Sequence, residues 1–171
     1  RPVADRLREM YGIPEWRPHL SPLDELVSTI LSQSTSDTNR DRAFEALKAR
    51  FPTWEAVRDA PLDAVIETIR PAGLANQKGP RLQEVLWRIT KERGQLNIDF
   101  LADLPLAEAK AWLTGLNGVG PKTAAIILLF AFGRPAFPVD THVHRLSRRI
   151  GLIGPQVSAE KAHDLMEQIV P

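Results

Sequence analysis

Leu116-Asn117-Gly118-Val119-Gly120-Pro121-Lys122-Thr123-Ala124 sets two glycines, one residue apart, in front of an apolar run that continues to residue 132. Glycines so placed permit a tight hairpin and the close approach of another backbone. Pro121 falls at a first helical position. The spacing therefore predicts a helix over residues 121–132, apolar on nearly every side and so central and buried. Free N–H groups at its start suit a phosphate; the alternative is an ordinary helix–helix turn. Lys122 lies in the first turn. The positive helix end and desolvation both favour its neutral amine, the form that attacks carbon and makes a Schiff base. The alternative is a lysine that snorkels to solvent or meets a phosphate.

Outward from this hairpin the chain reads as helix almost throughout. Residues 22–33 carry Leu23, Leu26, Val27, Ile30 and Leu31 at helical spacing, with Ser21 as a cap and Pro22 behind it. Residues 37–51 put Ala43, Phe44, Leu47 and Phe51 on one face, Thr53 opens a short helix, and Pro61 opens another. A longer one is predicted over 79–93, short ones around Pro105, and two more over about 140–150 and 158–169. No convincing alternating strand and no fixed repeat is present, so the expected class is all-α with short connections.

Composition narrows the partners. The chain has 171 residues, 43% hydrophobic and 25% charged, enough for a real core without staples. It has no cysteine, which removes disulfides, zinc–thiolate sites and thiolate-held clusters for this stretch. Its longest apolar run is far short of the roughly 20 residues that span a bilayer, and no signal peptide is visible. Net charge is only +1, but residues 110–157 hold Lys110, Lys122, Arg134, Arg145, Arg148 and Arg149 against one acid, Asp140. A locally basic segment in a neutral chain fits an anionic partner on one face, or a set of solvated arginines.

The second informative stretch is Pro138-Val139-Asp140-Thr141-His142-Val143-His144-Arg145. Asp140 sits where a helix starts, and capping is its default role. Asp140, His142 and His144 also form a string like a metal site, but at i, i+2 and i+4 they do not share a helix face.

LNGVGPKTA followed by AFGRPAFPVDTHVHR resembles the helix-hairpin-helix and Gly/Pro-Asp signature of endonuclease III-type DNA glycosylases. The 18 residues from Lys122 to Asp140 match that family's separation of catalytic lysine and aspartate. ILSQSTSDTNRDRAFEAL resembles its early barrel helix, and GLANQKGPRLQEVL its GLY-x-x-K-A segment. The likeness runs over about residues 22–171.

The resemblance implies an all-α, two-lobed fold: a six-helix barrel lobe over residues 22–133, and a second lobe from residues 1–21 and 134–171. It implies Lys122 on one lobe and Asp140 on the other, as the catalytic pair. A damaged base is flipped out of the stack. Asp140 stabilises positive charge on the sugar or helps Lys122 lose a proton. The Lys122 amine attacks C1′, and β-elimination cuts the strand. Gly118, Val119, Gly120 and Thr123 are expected to hold a phosphate, Leu74 to wedge into the duplex, and Gln33 to fill the gap left by the base. Aligned through Asp37, however, Ser34 takes that last position. His142 and Arg145 are expected against phosphates.

The implied partner is double-stranded DNA with a damaged base or abasic site, met by a monomer without a membrane, in the cytoplasm at the nucleoid. The expected base is an oxidised pyrimidine. The cysteines that hold a [4Fe–4S] cluster in many relatives are absent, so no cofactor is expected in this chain, and a cluster only if a cysteine-bearing segment follows. A monovalent cation at the hairpin is a further expectation. A mismatch-specific monofunctional glycosylase, a non-catalytic DNA-binding module, and a metalloenzyme on Asp140/His142/His144 are the rival readings.

Overall fold

The computed structural model describes residues 2–13 and 20–170. Among these residues there are ten α-helices and no strand. They are α1 (Pro2–Tyr11), α2 (Pro22–Ser32), α3 (Asp37–Arg50), α4 (Trp54–Asp59), α5 (Leu62–Thr68), α6 (Ala75–Arg93), α7 (Leu106–Thr114), α8 (Pro121–Phe130), α9 (Thr141–Arg149) and α10 (Ala159–Ile169). Short 3-10 turns at Arg70–Ala72 and Asp99–Ala102 link α5 to α6 and α6 to α7.

The helix starts are written in side chains. Ser21, Ser36, Thr53 and Ser158 each accept a hydrogen bond from a backbone N–H of the following first turn. Two boundaries differ from expectation. α6 begins at Ala75, four residues before the Gly79-Pro80 pair that reads as a helix start. Packing decides this: Gly79 lies so close to α5 that a Cβ there would meet Ile66 Cγ1 at 2.7 Å. The turn is held in helical form although Pro80 gives up one N–H. α8 ends at Phe130, two residues early, and the chain turns through Gly133 at φ 62°.

Two separate apolar cores result. The larger takes Leu26, Ile30, Leu47, Leu86, Leu113 and Leu128, all fully buried, from helices α2, α3, α6, α7 and α8. α2 packs on α3 and α8, while α6 packs on α4 and α5. The smaller core is Val139, Ile153, Ala162 and Met166, with Phe137 and Val143 against it. The chain crosses from one core to the other between Ala136 and Phe137. Residues 5–13 are exposed at every position. Residues 14–19, part of the segment expected in the second lobe, lie outside the described residues.

The cores are clasped together beside that crossing. Lys110 Nζ, on α7, donates to both carboxylate oxygens of Glu167, on α10, at 2.6 Å each. Glu167 Oε1 also accepts the Phe137 N–H at 3.0 Å. Both partners are largely shielded from solvent, with side-chain exposures of 22% and 15%. A charge-assisted pair of this kind contributes more than a surface ion pair. Glu167→Ala is expected to lower stability by roughly 1–3 kcal/mol in urea unfolding. In hydrogen exchange, amides of residues 139–166 should lose protection before those of α2 and α6.

Candidate active site

The hairpin between α7 and α8 is tight. Val119 N–H bonds to Leu116 O at 3.1 Å, and Gly118 has φ 77°, a value that L side chains rarely adopt. A Cβ on Gly118 would also fall 2.2 Å from Arg81 Cδ. α8 has no side chain capping its first turn. The Lys122 and Thr123 N–H groups therefore stay available at the positive end of the helix. The side chains of Val119 and Thr123 are buried; Thr123 offers its backbone N–H, whereas that of Val119 is already given to Leu116 O.

Lys122 is exposed. The expectation of a buried, desolvated amine is corrected: α8 buries Thr123, Ala124, Ala125, Ile127 and Leu128 and turns its first-turn lysine outward. A helix with many apolar residues still has a solvent side at its end.

Asp140 caps with one of its two oxygens. Oδ1 accepts the N–H of His142 at 2.9 Å and of Val143 at 2.7 Å, capping α9. The capping bonds leave Oδ2 unengaged. The Val143 N–H holds the carboxyl below its ordinary range, burial pushes the other way, and the His142 N–H, the Lys122 ammonium and His142 add to the lowering. Lys122 stands on a helix of the larger core, and Asp140 follows Val139 of the smaller one. An ionised carboxylate beside an exposed amine suits stabilisation of a cationic sugar better than proton abstraction.

The other predicted residues fall in three places. Gln33 caps the end of α2 and points back at the hairpin: its Nε2 donates to Gly118 O at 2.8 Å, and its Oε1 accepts from Arg81 Nη1 at 3.0 Å. Ser34, next to it, is exposed with φ 55°. Leu74 is 51% exposed with φ 49°, just before α6. Among the described residues these are the two non-glycine positions of positive φ. Such backbone costs of order 1–3 kcal/mol and gathers at functional loops. His142 and Arg145 are both exposed and bonded to each other, Nδ1 to Nη2, at 3.0 Å. His144 turns away, its Nε2 at 2.8 Å from Val157 O. Asp140, His142 and His144 therefore do not converge, and no cluster of three potential metal ligands occurs among the described residues.

Sequence reasoning missed Arg81, whose partner Gln33 is 48 residues away; no local signal marks it. Arg148 and Arg149, part of the basic segment read from the sequence, do share a surface. With His144, Arg145 and Pro155 they line an open concavity of about 340 Å³. The chain has no cysteine to hold an iron–sulfur cluster. At the hairpin, the carbonyls of Leu116, Gly118 and Gly120 already accept from Val119 N–H, Gln33 and Ala124 N–H, so a cation there would have only their remaining lone pairs.

An all-α scaffold with an uncapped hairpin–helix start, followed in the chain by a helix-capping aspartate, fits a helix-hairpin-helix glycosylase class. Residues 27–171 match the model of the HhH-GPD superfamily of base excision DNA repair proteins, and the chain belongs to that family. It is 37% identical over 151 residues to an Arabidopsis thaliana protein named as a DNA glycosylase, covering 88% of this chain and 52% of that one. It is 32% identical over 150 residues to endonuclease III of Thermotoga maritima, covering 88% of this chain and 66% of the relative. A solved non-covalent endonuclease III–DNA complex superposes with a TM-score of 0.82 at 27% identity, over all of this chain and 76% of the other. The chain thus spans between half and two thirds of the length of these two relatives.

Capping and charge at Asp140 separate by substitution. Asp140→Asn keeps a good cap and should melt within a few tenths of a kcal/mol of the parent near neutral pH, apart from its charge terms, whereas Asp140→Ala should lose about 1 kcal/mol. Because the folded carboxyl titrates below the unfolded one, its charge adds stability above about pH 4 that is lost as pH falls through the folded value. The parent's advantage over Asp140→Asn should accordingly shrink in acid unfolding curves.

Proposed function

We propose that the protein is a base-excision repair DNA glycosylase with AP lyase activity, acting on duplex DNA that carries an oxidised pyrimidine. The observation that carries this reading is an exposed Lys122 on the open start of α8 together with an ionised Asp140 whose Oδ2 is not used in capping.

In this reading the duplex lies across both cores. N–H groups at the start of α8 take one phosphate without reading sequence. Arg145, Arg148 and Arg149 supply further phosphate contacts, so affinity falls with salt. Leu74 stands exposed at a strained loop, as a wedge into the base stack requires. The target nucleotide rotates out of the stack. As the base leaves, the sugar gains positive charge, which Asp140 stabilises. The neutral Lys122 amine, after losing its proton to solvent, bonds to C1′; the base leaves with the electrons of the glycosidic bond. Ring opening gives the Schiff base, and removal of a C2′ proton expels the 3′ phosphate.

Two features favour this reading over a silent binding module or a water-using glycosylase. A phosphate site needs no carboxylate near its amine, and water attack needs no amine at all.

Incubation with an abasic-site duplex and borohydride tests the proposal. The parent should give a covalent protein–DNA adduct. Lys122→Ala, a change at an exposed helix position, should fold normally, bind the duplex and give none. On a duplex that carries the damaged base, Asp140→Asn should bind and release the base at least tenfold more slowly, about 1.4 kcal/mol of lost transition-state stabilisation. Duplex binding without an adduct in the parent would move the reading to a monofunctional glycosylase or a binding module. A panel of duplexes with oxidised pyrimidines, oxidised purines and mismatches then identifies the base.

A further inference from the structure

Lys78 is the largest charged anomaly in the fold. It lies in the first turn of α6, only 1% exposed, inside the larger core's envelope. Its Nζ donates to Leu31 O at 2.7 Å and to Ala72 O at 2.8 Å. Burial, with Arg81 nearby, pushes the ammonium below its ordinary range. A buried ammonium is costly even when hydrogen-bonded. Packing alone would be served as well by methionine.

The two acceptors explain what the charge does. Leu31 belongs to the last turn of α2, where carbonyls lack helical partners and carry the negative end of the helix dipole. Ala72 closes the 3-10 turn before α6. Ser34 lies three residues beyond the first acceptor and Leu74 two beyond the second. These are the two left-handed, exposed residues described above. One ammonium therefore ties the roots of two strained loops that otherwise belong to segments some forty residues apart in sequence.

We propose that Lys78 is a positioning residue that locks the Ser34 loop and the Leu74 loop at a fixed spacing, so that both enter a distorted duplex as one rigid unit. The inference rests on the DNA reading above for its consequence, but the lock itself exists without DNA. Lys78 touches no substrate. It acts by keeping two loops from moving independently, which lowers the ordering cost of binding.

The test pairs Lys78→Met, which keeps length and apolar volume but donates nothing, with Leu74→Ala. In the parent background Leu74→Ala should weaken binding to an abasic-site duplex by about tenfold. In the Lys78→Met background the same change should cost about twofold or less, because the wedge is already released. Without DNA, hydrogen exchange at residues 34–35 and 73–75 should quicken in Lys78→Met at both loops, while α3 and α8 stay protected. Should Lys78→Met fail to fold, Lys78→Gln, which removes the ammonium and shortens the side chain, carries the same comparison. An equal Leu74→Ala cost in both backgrounds, or loop exchange unchanged by loss of the ammonium, overturns the proposal. If the parent binds no duplex at all, the DNA reading fails, and the exchange data alone decide whether the lock is real.

Discussion

Everything at the candidate site depends on how two small cores are held together. Lys122 stands on a helix of one and Asp140 follows Val139 of the other, with a short connector between. The pair Lys110–Glu167 fixes that arrangement: the carboxylate takes the lysine with both oxygens and the connector's Phe137 N–H with one. His163 adds a second hold on the connector, its Nδ1 at 2.9 Å from Phe137 O. Arg134 braces the same stretch from the other side, donating to the carbonyls of Ala102 and Leu104. Small shifts in these contacts move a carboxylate relative to an amine, and catalysis is sensitive to misplacement of about 1 Å.

The larger core plays a complementary part. It presents three loops in one neighbourhood: the hairpin at Gly118, the end of α2 at Gln33 and Ser34, and the start of α6 at Leu74. Gln33 and Arg81 bind the first to the second, and Lys78 binds the second to the third. Each link is a polar side chain meeting backbone or another polar side chain across a long sequence separation. Such links place strained residues where helix packing alone would let them relax.

The parts of this account that were legible in the sequence are those written locally. Ser21, Thr53 and Asp140 announce helix starts because a cap is a contact between neighbours. The two glycines and Pro121 announce the hairpin for the same reason. The resemblance carried by LNGVGPKTA and PVDTHVHR led to the family. What could not be read depends on distant partners. The start of α6 was hidden because contact with Ile66 overrides a Gly-Pro break. Lys122 was taken as buried because its helix is apolar, yet which side of a first turn faces solvent is set by α2 and α7. Gln33 was expected to reach outward; its engagement with Gly118 O, across 85 residues, leaves no trace in local pattern. Lys78 reads like any lysine on an amphipathic helix until its two carbonyl partners are in view.

The account turns on one amine as nucleophile, placed by one core and served by a carboxylate from the other. Proteolysis and mass mapping of the borohydride-reduced protein–DNA adduct measure this directly, since the sugar remnant stays on the residue that attacked. The account predicts the added mass on the peptide containing Lys122. A remnant on the chain's α-amino group, on Lys110 or on any other lysine would contradict it, however efficient the trapping.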